Sequence, residues 1–154
     1  MKKDWIYKYF PEDGLKEIQS AVDAVEKKST GEIVLSFRNK RSLREKLYQP
    51  HELAMKDFDD KKVWNTKERT GILVFIIFGE KYYEIIADEG IFKRIPDETW
   101  NKLEKKLKTE FRAGKFTSGV LHLIEKMGEV LEKEFPVKPG DENPDELKNE
   151  IEIN

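Results

Sequence analysis

The stretch RTGILVFIIFGEKYYEIIADEGI, residues 69–91, constrains the fold more than any other part of the chain. From Ile72 to Phe78 it is apolar on both faces; Gly79 and Glu80 then fit a tight turn, and a second strand-like run reaches Ala87 before Asp88 and Glu89. A strand apolar on both faces belongs at the centre of a sheet, with helices packed above and below it. Reading Gly79 as the first central residue of a two-residue turn makes the next strand, from Lys81 to Ala87, its antiparallel neighbour.

The flanking sequence supplies the covering helices. Pro11, Glu12 and Asp13 open a helix whose Leu15, Ile18, Val22 and Val25 recur on one face to about Lys28. Ser29, Thr30 and Gly31 stop it, and EIVLSF from Glu32 to Phe37 reads as a strand. Between that strand and Arg69, the spacing of Leu53, Ala54 and Phe58 after Pro50 predicts a crossover helix, so the two strands it joins are expected to be parallel and right-handed. Pro96 and Asp97 start a third helix carrying Trp100, Leu103, Leu107 and Phe111, ended by Gly114. Thr117 or Ser118 can cap a fourth, with Val120, Ile124, Met127 and Leu131 as its apolar stripe. The expectation is one α/β domain over residues 1–136, with a small mixed sheet, followed by an acidic tail over residues 137–154.

Composition excludes several functions. No cysteine is present and the histidines are His51 and His122, so thiol chemistry is absent and any metal would be held by oxygen. The 29 basic and 31 acidic residues nearly cancel, which argues against nucleic acid as a partner. The longest apolar run is far short of the ~20 residues of a spanning helix, and MKKDWIYKYF lacks the apolar core of a secretory signal. A cytoplasmic protein with no membrane span and no organic cofactor is expected.

Strand direction decides which polar residues meet. Because the third strand runs against the first two, Asp88 and Glu89 at its end are expected at the same sheet edge as Glu32, Arg69 and Thr70. Three carboxylates repel unless a cation or Arg69 compensates them, so this rim is a divalent metal site for calcium or magnesium, an acid and arginine network, or simply a turn. A second location is the loop after Phe37, at the carboxyl end of the parallel strands. There Arg38, Lys40, Arg41 and Arg44 offer charge for phosphate, but without a glycine-rich cradle they read as a solvated, mobile loop. Asp57 and Asp59 spell the DxD of aspartyl-phosphate enzymes, yet in helix-like sequence. Asp141, Asn143, Asp145 and Glu152 match positions of a calcium loop, but Glu146 stands where its glycine should be. His51 and His122 have no recognisable catalytic partners and read as helix-surface residues.

Four segments in order, STGEIVLSF, TKERTGILVFI, ADEGIFKRIPDETW and FRAGKFTSGVLHLIEKMGEVLEKEFP, make the chain resemble the TPM domain family. The resemblance implies a three-layer α/β/α sandwich, and it places Glu32, Arg69, Asp88 and Gly90 on motif residues. Some plant members of that family are described as acid phosphatases, some members bind a divalent cation through acids, and others act without catalysis in assembling or modulating membrane complexes. Related sequences often read RNG where this chain has Arg69, Thr70 and Gly71, so a hydroxyl replaces an amide at the rim. Their tails often hold a compact DxNEL segment that Pro144 and Asp145 interrupt here.

Three functions follow from this reading. The first is a regulatory or interaction domain that binds calcium or magnesium through Glu32, Asp88 and Glu89, with Arg69 and Thr70 in support. The second is a metal-assisted phosphatase, a phosphoric monoester hydrolase in which Asp88 or Glu89 is the general base. The third is a protein-interaction module that meets a protein partner through its basic loop or acidic tail.

Overall fold

Residues Gly71–Ile77 are enclosed without exception, and the other elements are arranged around them. The computed structural model describes residues 3–138 and 150–154. In chain order the elements are α1 (Glu12–Lys28), β1 (Glu32–Arg38), α2 (Pro50–Asp60), β2 (Gly71–Ile77), β3 (Tyr82–Ala87), α3 (Glu89–Phe92), α4 (Asp97–Arg112), α5 (Phe116–Glu134) and β4 (Glu152–Ile153). A 3-10 turn over Asp4–Lys8 precedes them.

The sheet order is β3-β2-β1-β4. β1 and β2 are parallel, with Glu32 opposite Gly71 and Phe37 opposite Ile76, and β3 returns antiparallel to β2. Successive side chains leave a strand on opposite faces, and that alternation divides the core in two. Ile33, Leu35, Phe37, Ile72, Val74 and Ile76 pack against α1, α4 and α5. Val34, Leu73, Phe75 and Ile77 pack against Leu53, Ala54 and Phe58 of α2. The result is the three-layer α/β/α sandwich, with each apolar side chain of β2 contributing on the order of 1.5 to 3 kcal/mol gross through burial.

Carboxylates from one helical layer cap an amide of β1, short of where β4 pairs with it, and an amide of the edge strand β3. Glu26 of α1 accepts the Ile33 amide at 3.0 Å, and Glu104 of α4 accepts the Ile85 amide at 2.8 Å. An edge strand otherwise presents unpaired amides that invite pairing with another chain.

Four local expectations need correction. The β2–β3 connection spans residues 78–81, because Ile77 pairs with Tyr82, and it is a 3-10 turn over Phe78–Glu80. Its left-handed residue is Lys81 at φ 54°, not Gly79. Gly79 is needed instead for a close approach: a Cβ there would lie 2.6 Å from the Asn39 carbonyl oxygen, which accepts the Gly79 amide at 2.7 Å. α5 begins at Phe116 after Lys115, so Thr117 and Ser118 already lie inside its first turn and neither caps it. Asp88 opens the short helix α3 rather than a bare turn, its carboxylate accepting the Glu89 amide. The segment expected only as an acidic tail ends in β4, parallel to β1 with Glu152 opposite Ser36.

The start of the chain also belongs to the core. Ile6 and Phe10 are buried, and Phe10 stacks on Phe37 at 5.7 Å between centroids.

Candidate functional site at the sheet rim

The rim is set by the close approach of two backbone segments. Gly90 donates its amide to the Arg69 carbonyl at 2.9 Å, and a Cβ on Gly90 would lie 2.2 Å from the Glu68 oxygen and 2.5 Å from the Arg69 oxygen. Only glycine permits that contact. Arg69 itself is left-handed at φ 57°, a conformation that costs a non-glycine residue on the order of 1 kcal/mol or more and that recurs at functional sites. The Asp88 amide bonds to the Gly71 carbonyl at 2.9 Å, which brings its side chain to the same edge.

These constraints place Arg69 against Asp88 as a fork. Nε meets Oδ2 at 2.7 Å and Nη2 meets Oδ1 at 2.9 Å, while Oδ1 also accepts the Glu89 amide at 2.8 Å. Two parallel charge-assisted bonds are among the stronger polar contacts available to a side chain. Nη1 of the same guanidinium lies 3.6 Å from Glu89 Oε1. The Asp88 side chain is 5% exposed, whereas those of Arg69 and Glu89 are 42% and 60% exposed, so the pair is anchored inside and open outside. The hydrogen bond to Asp88 raises the Arg69 pKa, and the guanidinium stays charged.

Glu32 and Thr70 lie at the same end of the sheet but take different places. The Glu32 amide donates to the Thr70 carbonyl at 3.1 Å, and Glu32 is 2% exposed. Thr70 is buried; its hydroxyl donates to the Thr30 carbonyl at 2.8 Å and its amide donates to Thr66 Oγ1 at 2.9 Å. Among the described residues, no three histidine or acidic side chains are gathered so as to hold a metal ion, and Glu32 therefore does not complete a trio with Asp88 and Glu89.

A second polar cluster, which no local sequence pattern marks, lies at the other end of β1. Ser36 donates its hydroxyl to Asp57 Oδ2 at 2.6 Å, and Arg38 Nη2 meets Asp57 Oδ1 at 2.8 Å. Lys61 Nζ lies 3.6 Å from Asp57, and Arg38 also pairs with Glu45. Ser36 and Asp57 are buried, so this cluster fixes α2 to β1 rather than facing a substrate. Only the polar character of Ser36 inside an apolar strand hints at it in the sequence.

The basic loop does not form a phosphate cradle. Arg38 is engaged by Glu45 and Asp57, and Arg41 by Glu80, whose carboxylate accepts the Arg41 amide at 2.7 Å and its Nε at 2.8 Å. Burial pushes Glu80 up, but the bonds from Arg41 outweigh it and leave the carboxyl below its ordinary range. His51 lies on the surface, 2.6 Å from Glu84, and His122 lies 3.4 Å from Glu110. Of the calcium-loop template, Asp141, Asn143 and Asp145 lie outside the described residues, and Glu152 is in β4. Among the described residues, no helix is long and apolar enough to cross a membrane.

Comparison with known proteins agrees with this fold. No curated protein matches the chain. Among solved structures the chain is similar to the BA42 protein from the psychrophilic bacterium Bizionia argentinensis, with 30% identity, 94% of each chain covered and a TM-score of 0.82. It shares its fold with the N-terminal domain of the cg2496 protein from Corynebacterium glutamicum, with 12% identity, 86% of this chain and 83% of that one covered, and a TM-score of 0.61. A family model described as the TPM domain matches residues 7–130, a span that holds the whole rim from Glu32 to Gly90, and the chain belongs to the TPM domain family.

Proposed function

We propose that this TPM domain is a noncatalytic regulatory or interaction domain whose rim responds to a divalent cation, calcium or magnesium. The observation that carries the reading is that Asp88 and Glu89 already share one positive charge, the Arg69 guanidinium, at a surface where Arg69 and Glu89 are open to solvent. Carboxylate oxygens are the donors hard cations prefer. Exchanging the guanidinium for a cation leaves neither acid uncompensated, so Arg69 acts as a built-in competitor. Glu32 is enclosed at the start of β1, and among the described residues it does not gather with this pair into a metal-holding trio.

The noncatalytic side of the reading rests on how the rim groups are engaged. Both Asp88 oxygens accept hydrogen bonds, which makes Asp88 a poor general base, and the Thr70 hydroxyl is already donated to a carbonyl. That engagement of Asp88 and Thr70 supports the noncatalytic reading and leaves Glu89 as the open carboxylate of the rim.

The test is a titration with calcium and then magnesium, followed by amide NMR shifts. Residues 87–91 should move first; Arg69→Gln should bind roughly tenfold tighter by removing the competitor, and Glu89→Gln should bind more weakly. Shifts confined to other residues, or no gain in Arg69→Gln, overturn the proposal.

A further inference from the structure

We infer that the turn Ser42–Leu47, at the opposite end of the sheet from the rim, docks this protein on an anionic lipid surface. Leu43 and Leu47 are 87% and 81% exposed, although large apolar side chains are ordinarily covered. The turn is helical, with Lys46 N–H bonded to the Ser42 carbonyl at 3.0 Å and Leu47 N–H to the Arg44 carbonyl at 3.2 Å. Leu43 precedes and Leu47 closes the 3-10 turn over Glu45–Leu47, so both leucines stand in solvent within one short segment.

Their exposure does not come from a loosely held loop. Arg41 is tied to Glu80 through its amide and Nε, and to the Tyr48 carbonyl through Nη1 at 2.8 Å. Ser42 and Glu45 bond reciprocally, the Ser42 amide to Glu45 Oε1 at 2.9 Å and the Glu45 amide to Ser42 Oγ at 3.2 Å, and the Glu45 carboxylate pairs with Arg38. The polar groups hold the backbone, and the apolar ones are left outside. A surface ordered before binding loses less freedom on docking.

Charge and shape together select the occupant. With Arg38 and Arg41 engaged by acids, the exposed charges beside the leucines are Lys40, Arg44 and Lys46, all basic. Their field acts over about a Debye length, so the overall charge of -2 does not cancel it locally. Side chains this exposed stand on a convex turn, and a bilayer interface takes up protruding leucines without a complementary pocket. Basic residues then bridge to the headgroups.

The experiment is flotation of the full-length protein with phosphatidylcholine vesicles, with and without phosphatidylglycerol. Binding is expected only to the anionic vesicles, with salt weakening it. The double variant Leu43→Ser, Leu47→Ser should lose roughly tenfold or more in partitioning while melting like the wild type, because both side chains are exposed. Lys40→Gln with Arg44→Gln and Lys46→Gln should remove the preference for anionic lipid. No binding at low salt, or binding unaffected by loss of the leucines, overturns the inference. So does a dimer, seen by light scattering without vesicles, that the leucine variant dissolves, because the occupant is then a second copy of this chain.

Discussion

Gly90 and Glu104 show how single residues set the behaviour of this domain. A Cβ on Gly90 meets two backbone carbonyl oxygens, neither of which can rotate away. Gly90→Ala should therefore cost at least about 1 to 3 kcal/mol in urea unfolding and shift the Arg69 and Asp88 resonances together. Glu104 has its pKa raised by burial and by Glu84 and Asp97, against the lowering effect of the Ile85 amide and Lys108. A carboxyl raised in the folded state holds its proton more tightly there than in the unfolded chain. Its contribution to stability is complete below about pH 4.5 and is lost as pH rises through the folded value. Glu104→Gln keeps an acceptor for Ile85 without a charge. It should flatten the decline of stability with pH above that point, as measured by urea midpoints across a pH series.

At the scale of elements, local pattern and distant contact part company. The enclosed strand β2, the helix crossover and the antiparallel return to β3 follow from apolar patterning, which is a local property. Strand direction also places Asp88 and Arg69 at one edge, where they form the fork. The turn at residues 78–81 departs from the local pattern because Gly79 serves a carbonyl of Asn39 far back in the chain, while the left-handed position falls on Lys81, which carries no turn signal. β4 is not legible locally, because Ile151 and Ile153 are too few in an acidic segment to mark a strand and its partner lies more than a hundred residues earlier. The same distance hides the Asp57 cluster, whose partners Ser36 and Arg38 belong to another element. Breaking that cluster with Asp57→Ala leaves a buried serine hydroxyl without its acceptor and a largely buried guanidinium with Glu45 alone. It should cost about 3 kcal/mol, with α2 amides losing hydrogen-exchange protection before those of α5.

For the whole molecule, the two proposals fall at opposite ends of the sheet. The rim with Arg69, Asp88 and Glu89 lies at the start of β1 and β2, and the Ser42–Leu47 turn follows the end of β1. Cation titration and vesicle flotation should thus respond to different variants, and Arg69→Gln should leave flotation unchanged. Between these ends, the caps from Glu26 and Glu104 come from α1 and α4, helices that pack on opposite flanks of the sheet's same face. The sheet is in effect hemmed at two points: a strand added along the start of β1 or along β3 meets a carboxylate at Ile33 or Ile85, while β4 already occupies β1 at Ser36 and Phe37. At those two points the carboxylates oppose sheet extension by a domain with so apolar a central strand.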